Sequence, residues 1–418
     1  MNENTNPGTE NTSPETAPAA EQKPKKAKKA RAPGGQNRIY RLIGEVDRPM
    51  LIVIIALVCL GAVMVFSASY AVCKQRFGDS YYYARRHIEW VAIGLVAMGL
   101  IAKLLDYRVL KRFAYIGYVF SLGLNYLVPF LGKTVNGATR WFIVFGVEFQ
   151  PSELLKFFLV LALSTYISNH YSEMRSLRRG VLPVLLITAP AALATLVQNH
   201  MSATIIILLL MAMMLWLSGT KGFYLGAVAD AGAVGAVVLL GPGRSLLEKF
   251  VPQVFGRLEV WRDPFSYMTY DSGGKGWQPA QSLYAISSGG FWGLGLGQSN
   301  QKHGFLPEPQ NDYIFAILCE ELGFFGVLCV IALFAVFAFR GYHISKNSPN
   351  RFCSLLSMGI TSQVIIQTLL NFAVVTNSVP STGISLPFFS YGGTSLLILL
   401  AEMGILLSIS RYSFIEQN

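Results

Sequence analysis

The chain has 418 residues, of which 52% are hydrophobic and only 14% charged, with a formal net charge of +11. A soluble domain carries about 25% charged residues, so this balance excludes one and points to an all-α membrane protein. The five cysteines (Cys59, Cys73, Cys319, Cys329, Cys353) are scattered, most of them in apolar runs, and offer neither a metal-ligand spacing nor a disulfide framework.

Residues 1–46 read as a disordered cytoplasmic tail. They have little apolar area to bury and carry KPKKAKKAR at 23–31. The basic run either sets orientation as a solvated tail or holds anionic membrane lipids, at about 1 kcal/mol per basic residue near the surface. No folded basic module follows it, so nucleic acid is not an expected partner. No cleavable signal peptide is expected either, because the first apolar run begins near Met50 and is long enough to span.

Ten transmembrane helices are expected, with cores near 50–69, 88–105, 113–131, 152–168, 181–198, 202–218, 222–240, 313–339, 353–374 and 394–410. They make one membrane domain over 47–412, with 413–418 as a cytoplasmic tail. The Lys/Arg bias of the loops puts both termini in the cytoplasm, with Lys103, Arg108, Lys111, Arg112, Arg178, Arg179, Arg340 and Lys346 inside. Lys74, Arg76, Arg85 and Arg86, in the first outer loop, weaken that contrast. Between spans seven and eight lies a long outer loop, 241–312. Its Trp, Tyr, Phe and Gly content predicts order. Smaller outer loops, KTVNGATRWF at 133–142 and NSVPSTGISLPFFSYGGTS at 377–395, are also irregular and polar, whereas the inner loops are plain. Chemistry is therefore expected on the outer face. No internal repeat is evident, which argues against an inverted-repeat transporter.

In QPSELLKFF, Glu153 and Lys156 are three residues apart and share a helix face. They read either as a self-neutralising pair that pins two helices or as the charged wall of a polar cavity. In the long loop, the glycines at 293, 295 and 297 lack the flanking strand and Lys-Ser/Thr of a phosphate-binding loop and read as tight turns. Arg262, Lys302 and His303 are candidate anion ligands. In FLPEPQNDYIFAILCEELGFFG, 305–326, Asp312 is either a helix cap or a general base at the mouth of a cavity. Glu320 and Glu321, two turns further on, are expected to pair within the bundle. Asp230, alone in span seven, has no assigned role.

These stretches resemble the FtsW/RodA/SpoVE family of shape, elongation, division and sporulation (SEDS) proteins. GWQPAQSLYAISSGGFWGLGLGQSNQKHGFLPEPQNDYIFAILCEELGFFG carries most of the resemblance, with NGATRWF, QPSELLK and VPSTGISLPFFSYGGTS in support; it spans about 47–412. It implies a peptidoglycan glycosyltransferase polymerising lipid II into β-1,4 glycan strands on the outer face of the bacterial cytoplasmic membrane, with Asp312 as general base. Arg262, Lys302, Arg140 and Lys156 are its candidates for stabilising the leaving pyrophosphate. Glu153, paired with Lys156, together with Gln281 and Ser390 of the matching motifs, completes the substrate-binding set. No cofactor is required, although a loosely held Mg or Mn could assist the pyrophosphate. A class B penicillin-binding transpeptidase and the division or elongation machinery are the implied partners. A lipid II flippase and a non-catalytic scaffold are the alternatives. The segment QNHMSAT, 198–204, departs from the Gln-Pro-Asp pattern of many members, so no role passes to Asn199 or His200.

Overall fold

The structure, a computed structural model, describes residues 44–413 apart from 136–137, 145, 228–229, 231, 233–251, 269–273 and 275. Most of the basic tail, most of the expected seventh span, part of the 241–312 loop and residues 414–418 lie outside the described residues. Asp230 lies within them and is exposed.

The chain enters α1 (Arg48–Phe77) through Asp47, whose carboxylate accepts from the Met50 N–H at 2.9 Å, with Pro49 in the first turn. Helices α2 (Tyr82–Leu104) and α3 (Tyr107–Leu131) follow. Three short strands come next, β1 (Lys133–Val135), β2 (Ala138–Val144) and β3 (Val147–Phe149), paired antiparallel in that order. They correct the all-α expectation locally. The stretch alternates β-branched and aromatic residues around an Asn-Gly pair, a sequence that favours a hairpin. The chain continues through α4 (Pro151–Asn169), α5 (Leu182–Val197), α6 (Met201–Leu217), α7 (Pro252–Arg262), α8 (Trp277–Gly289), α9 (Ile314–Lys346), α10 (Arg351–Val375) and α11 (Gly393–Ser413).

Among the described residues, eight helical stretches are long and apolar enough to cross a membrane: α1 to α4, Leu177–Val197 (α5 with the turn before it), α9, α10 and α11. Helix α6 is apolar but has only 17 residues. Outward faces carry large apolar side chains, among them Ile88, Val96, Ile116 and Phe120, as a lipid-facing surface requires. The interior holds two apolar clusters. One is built mainly by α1, α9, α10 and α11, the other by α4, α5 and α6, and Phe158 of α4 packs against both.

The two ends of the bundle differ. At one end Asp47 pairs with Arg340, and Arg411 donates to the carbonyls of Ala102 (2.7 Å) and Lys103 (2.9 Å). At the other end the irregular segments meet. Arg140 of β2 donates to the Asn199 carbonyl, Thr394 Oγ1 donates to the Glu148 carbonyl at 2.9 Å, and Trp261 Nε1 donates to the Asn377 carbonyl at 3.0 Å.

Helix α9 is broken at Gly323, where φ is +64° and ψ −170°. The segment after α8 fills the break. The N–H groups of Leu294 and Gly295 donate to the carbonyls of Glu320 and Glu321 at 2.9 and 3.0 Å, and those of Phe324 and Phe325 donate to the carbonyls of Gly290 and Phe291 at 3.0 and 3.1 Å. A Cβ at Gly293 would collide with the Glu321 backbone, so the glycine-rich stretch is a close backbone crossing.

The same crossing pairs one carboxylate of α9 and hydrogen-bonds the other. Glu321 pairs with Lys302 Nζ at 2.9 Å and accepts from Ser67 Oγ at 2.6 and 2.7 Å. Glu320 accepts from Ser299 Oγ, from the Asn300 N–H at 3.0 Å and from Ser288 Oγ at 3.3 Å. Glu320, Glu321, Lys302 and Ser299 are all buried. Removing one member of a buried pair strands the other charge, so Glu321→Ala is expected to cost about 3–5 kcal/mol. Thermal unfolding in detergent should show that loss, with part of it recovered in the Glu321→Ala/Lys302→Met double variant. An unchanged melting temperature in the single variant would contradict the pairing.

Candidate functional site

Asp312 lies in the loop that leads into α9. Its backbone is held from three directions. Asn371 Nδ2 of α10 donates to the Asp312 carbonyl at 2.8 Å, Ser390 Oγ donates to the Asn311 carbonyl at 2.8 Å, and the Tyr391 N–H donates to the Gln310 carbonyl at 2.9 Å. The N-cap of α9 is Tyr313, and no side chain caps the helix. The Asp312 carboxylate is thus not spent on capping. It lies half-buried against Gly383 (φ +72°), where a Cβ would stand 3.0 Å from Asp312 Oδ2.

Two arginines bear on this carboxylate. Arg140 reaches in from β2 and Arg257 from α7. Burial raises the Asp312 pKa from its ordinary value to about 6. Glu308 adds to the rise, while Arg140 and Arg257 oppose it. The arginines feel the converse field. Burial, with Arg257 in second place, lowers Arg140 to about 10, and Asp312 opposes that change. Burial likewise lowers Arg257, against Tyr313 and Asp312. The result is a carboxylate that ionises near neutrality beside two fixed cations, the condition for a general base working close to pH 7.

A second polar group lies nearby. Lys156, buried in α4, pairs with Glu153 Oε2 at 2.8 Å and donates to Gln367 Oε1 at 2.8 Å. Gln367 Nε2 donates in turn to the Ser385 carbonyl at 3.0 Å. Glu153, Gln363, Gln367, Ser385, Ser390 and Glu402 line a cavity of about 30 Å³, room enough for water. Ser390 connects the two regions, since it lines the cavity and also holds the Asn311 carbonyl.

The other candidates take separate positions. Lys302 is enclosed with Glu321 in the α9 crossing, and Arg262 is exposed at the end of α7. Gln281 is buried on α8. Arg257 escaped the sequence reading although a signal existed. It precedes Trp261 by four residues and so shares its helix face, and Trp261 docks on Asn377. Arg262 lies off that face. Glu402 was also passed over, a lone carboxylate in the apolar run of α11 whose two oxygens each accept from Gln363 Nε2 at 3.1 Å. Among the described residues no three His, Cys, Asp or Glu side chains gather into a metal-ligating group.

A helical bundle with large apolar side chains on its outer faces defines a multi-pass membrane protein. The chain belongs to the FtsW/RodA/SpoVE family, described as cell cycle protein, which matches residues 47–414. It is 37% identical to the stage V sporulation protein E of Bacillus subtilis (strain 168) over 372 residues, which cover 88% of this chain and 97% of that protein. It is 33% identical to a Geobacter protein (strain M18) named "Probable peptidoglycan glycosyltransferase FtsW", over 88% of this chain and 98% of that one. It shares its fold, at a TM-score of 0.72 and 24% identity, with a chain of the solved structure described as "Structural coordination of polymerization and crosslinking by a peptidoglycan synthase complex". That match covers 88% of this chain and 98% of the other.

The raised pKa has a stability consequence. Between the ordinary value of 3.8 and about 6, the folded protein keeps a proton on Asp312 that the unfolded chain has lost. Stability from this group therefore falls as pH rises through that window, and the penalty is complete above it. Asp312→Asn is expected to melt at a higher temperature than the wild type above pH of about 6, with the gap closing as pH falls toward about 4. Equal melting temperatures at neutral pH would contradict the desolvated carboxylate.

Proposed function

We propose that the chain is a peptidoglycan glycosyltransferase that polymerises lipid II, with Asp312 as general base. The observation that carries this reading is the state of Asp312: uncommitted as a helix cap, half-buried against Gly383, and held at about 6 by burial against the fields of Arg140 and Arg257. Relatives over 30% identical that bear the name peptidoglycan glycosyltransferase support the substrate class.

Asp312 takes the proton of the acceptor sugar's 4-hydroxyl as that oxygen attacks the donor's anomeric carbon. The new C–O bond forms with inversion while the bond from that carbon to the pyrophosphate oxygen breaks, and the electron pair leaves with the lipid pyrophosphate. Cations stabilise the charge that develops on the leaving group. Arg140, beside Asp312, suits that role. Lys156, already paired with Glu153 and Gln367, suits a supporting one beneath the site. Arg262 and Lys302 do not enter this scheme, because one is exposed at the end of α7 and the other is taken up by Glu321.

Ten spans are inferred, with α6 as the sixth. Both termini are then cytoplasmic and the site opens on the outer face. The fold shared with a chain of a synthase complex supports a penicillin-binding transpeptidase as partner.

The test is polymerisation of lipid II by the purified protein with its transpeptidase. Glycan strands are expected, and Asp312→Asn should lower their rate by about 10²- to 10⁴-fold. Wild-type polymerisation by that variant removes the base. Lipid movement across vesicles with no polymer would favour a flippase instead.

A further inference from the structure

The segment Gln198–Ser202 contributes more to the site than its sequence advertises. Asn199 takes a left-handed conformation (φ +53°) that turns the chain sharply from α5 into α6. His200 then occupies the N-cap of α6 without capping it. Its backbone is fixed on both sides, its N–H donating to the Thr195 carbonyl at 3.0 Å and its carbonyl accepting from the Thr204 N–H at 3.2 Å. The imidazole is buried, only 5% exposed, and its Nδ1 has no hydrogen-bond partner.

The neighbours of His200 are those of Asp312. Arg140 donates to the carbonyl of Asn199, the preceding residue, and its buried Nε has no partner. Two residues further on, Ser202 Oγ donates to the Thr382 carbonyl at 2.6 Å and lies 3.2 Å from the Gly383 carbonyl. Gly383 is the residue packed on the Asp312 carboxylate, and Thr382 Oγ1 is also buried without a partner. The Thr382–Gly383 turn thus lies between the start of α6 and the proposed base. Three buried polar atoms in this small region (Arg140 Nε, His200 Nδ1, Thr382 Oγ1) have unfilled capacity to donate, beside a helix N-terminus that no side chain caps. Buried polar groups of this kind are normally satisfied by a ligand or water. A helix N-terminus flanked by guanidinium groups selects an anion.

The ligand's charge can be bounded. Arg140 and Arg257 contribute two positive charges and ionised Asp312 one negative charge. Burial and the fields of Arg140, Lys156 and Arg257 hold the His200 pKa well below its ordinary value, so the imidazole is neutral and acts as a hydrogen-bond donor. Lys156 is already matched by Glu153. The region therefore has an excess of cation and of unfilled donors, and its complement is an acceptor-rich anion.

We propose that His200, Arg140, Arg257, Thr382 and the uncapped N-terminus of α6 form a seat for the pyrophosphate of the lipid-linked substrate. The assignment rests on reading Asp312 as the base of a glycosyl transfer. It adds a division of labour, in which Asp312 accepts the proton while His200, Thr382 and the start of α6 join the two arginines in holding the leaving anion. His200 binds as a neutral donor.

The probe is farnesyl pyrophosphate, binding to the full-length protein in nanodiscs, with farnesyl monophosphate and farnesol as comparison ligands. The wild type should prefer the pyrophosphate over both. His200→Ala and Arg257→Ala should each weaken pyrophosphate binding by about tenfold or more while leaving farnesol unchanged. His200→Asn, which keeps a side-chain donor, should restore most of the affinity lost in His200→Ala. If His200→Ala does not fold, Arg257→Ala and His200→Asn carry the test. Wild-type pyrophosphate affinity in folded Arg257→Ala overturns the seat, and so does an equal loss of farnesol and farnesyl pyrophosphate in either alanine variant. Asp312→Asn should bind the pyrophosphate at least as tightly as the wild type, since it removes a facing negative charge. Polymerisation by that variant tells against the base alone, and weakened pyrophosphate binding in it tells against the seat alone.

Discussion

The structure depends on the cost of placing charge in apolar surroundings. An ionised carboxylate inside a membrane bundle is tolerable only when paired and hydrogen-bonded. Glu320 and Glu321 meet that demand by drawing the segment 288–302 across the broken helix α9, with Lys302, Ser299 and Ser67 as partners. The clamp is therefore also a positioning device. It anchors the chain ten residues before Asp312 and eight residues after it, so the loop carrying Asp312 has fixed ends. Asn371, Ser390 and Tyr391 then fix its middle.

Asp312 is the carboxylate on which this logic is relaxed. It is shielded enough for its pKa to rise, yet it has two arginines in its field and no helix to cap. Full pairing would make it a weak base and full isolation would keep it protonated. The intermediate condition comes from three separate elements: β2 supplies Arg140, α7 supplies Arg257, and the turn before Ile384 supplies the glycine that lets the carboxylate approach. None of these is near Asp312 in sequence, so the site exists only in the folded bundle.

Much of this was legible in the sequence. Apolar runs of spanning length mark the eight long apolar helices of the described residues, and the family motifs single out Asp312 as the candidate base. The Glu153–Lys156 spacing gave a pair that does form, at 2.8 Å. Demanding a partner for each intramembrane charge led to the pairing of Glu320 and Glu321, though not to Lys302 as the partner, because nothing local joins residues 302 and 321. The short strands at 133–149 stand out poorly in the sequence because the hairpin is brief and sits between long apolar runs. Arg257 is distinguished from Arg262 only by helix phase, which no local motif shows. His200 could not be read at all. Its significance comes from Arg140, 60 positions earlier, and from the Thr382–Gly383 turn, about 180 positions later.

The central claim is that the Asp312 carboxyl is desolvated yet ionisable near neutral pH. Isotope-edited infrared titration of aspartate-labelled protein, taken as the difference between wild type and Asp312→Asn, measures this directly. The account predicts one carboxyl band that disappears with a midpoint at about 6. A midpoint at the ordinary aspartate value of 3.8, or a carboxyl still protonated at alkaline pH, would contradict it.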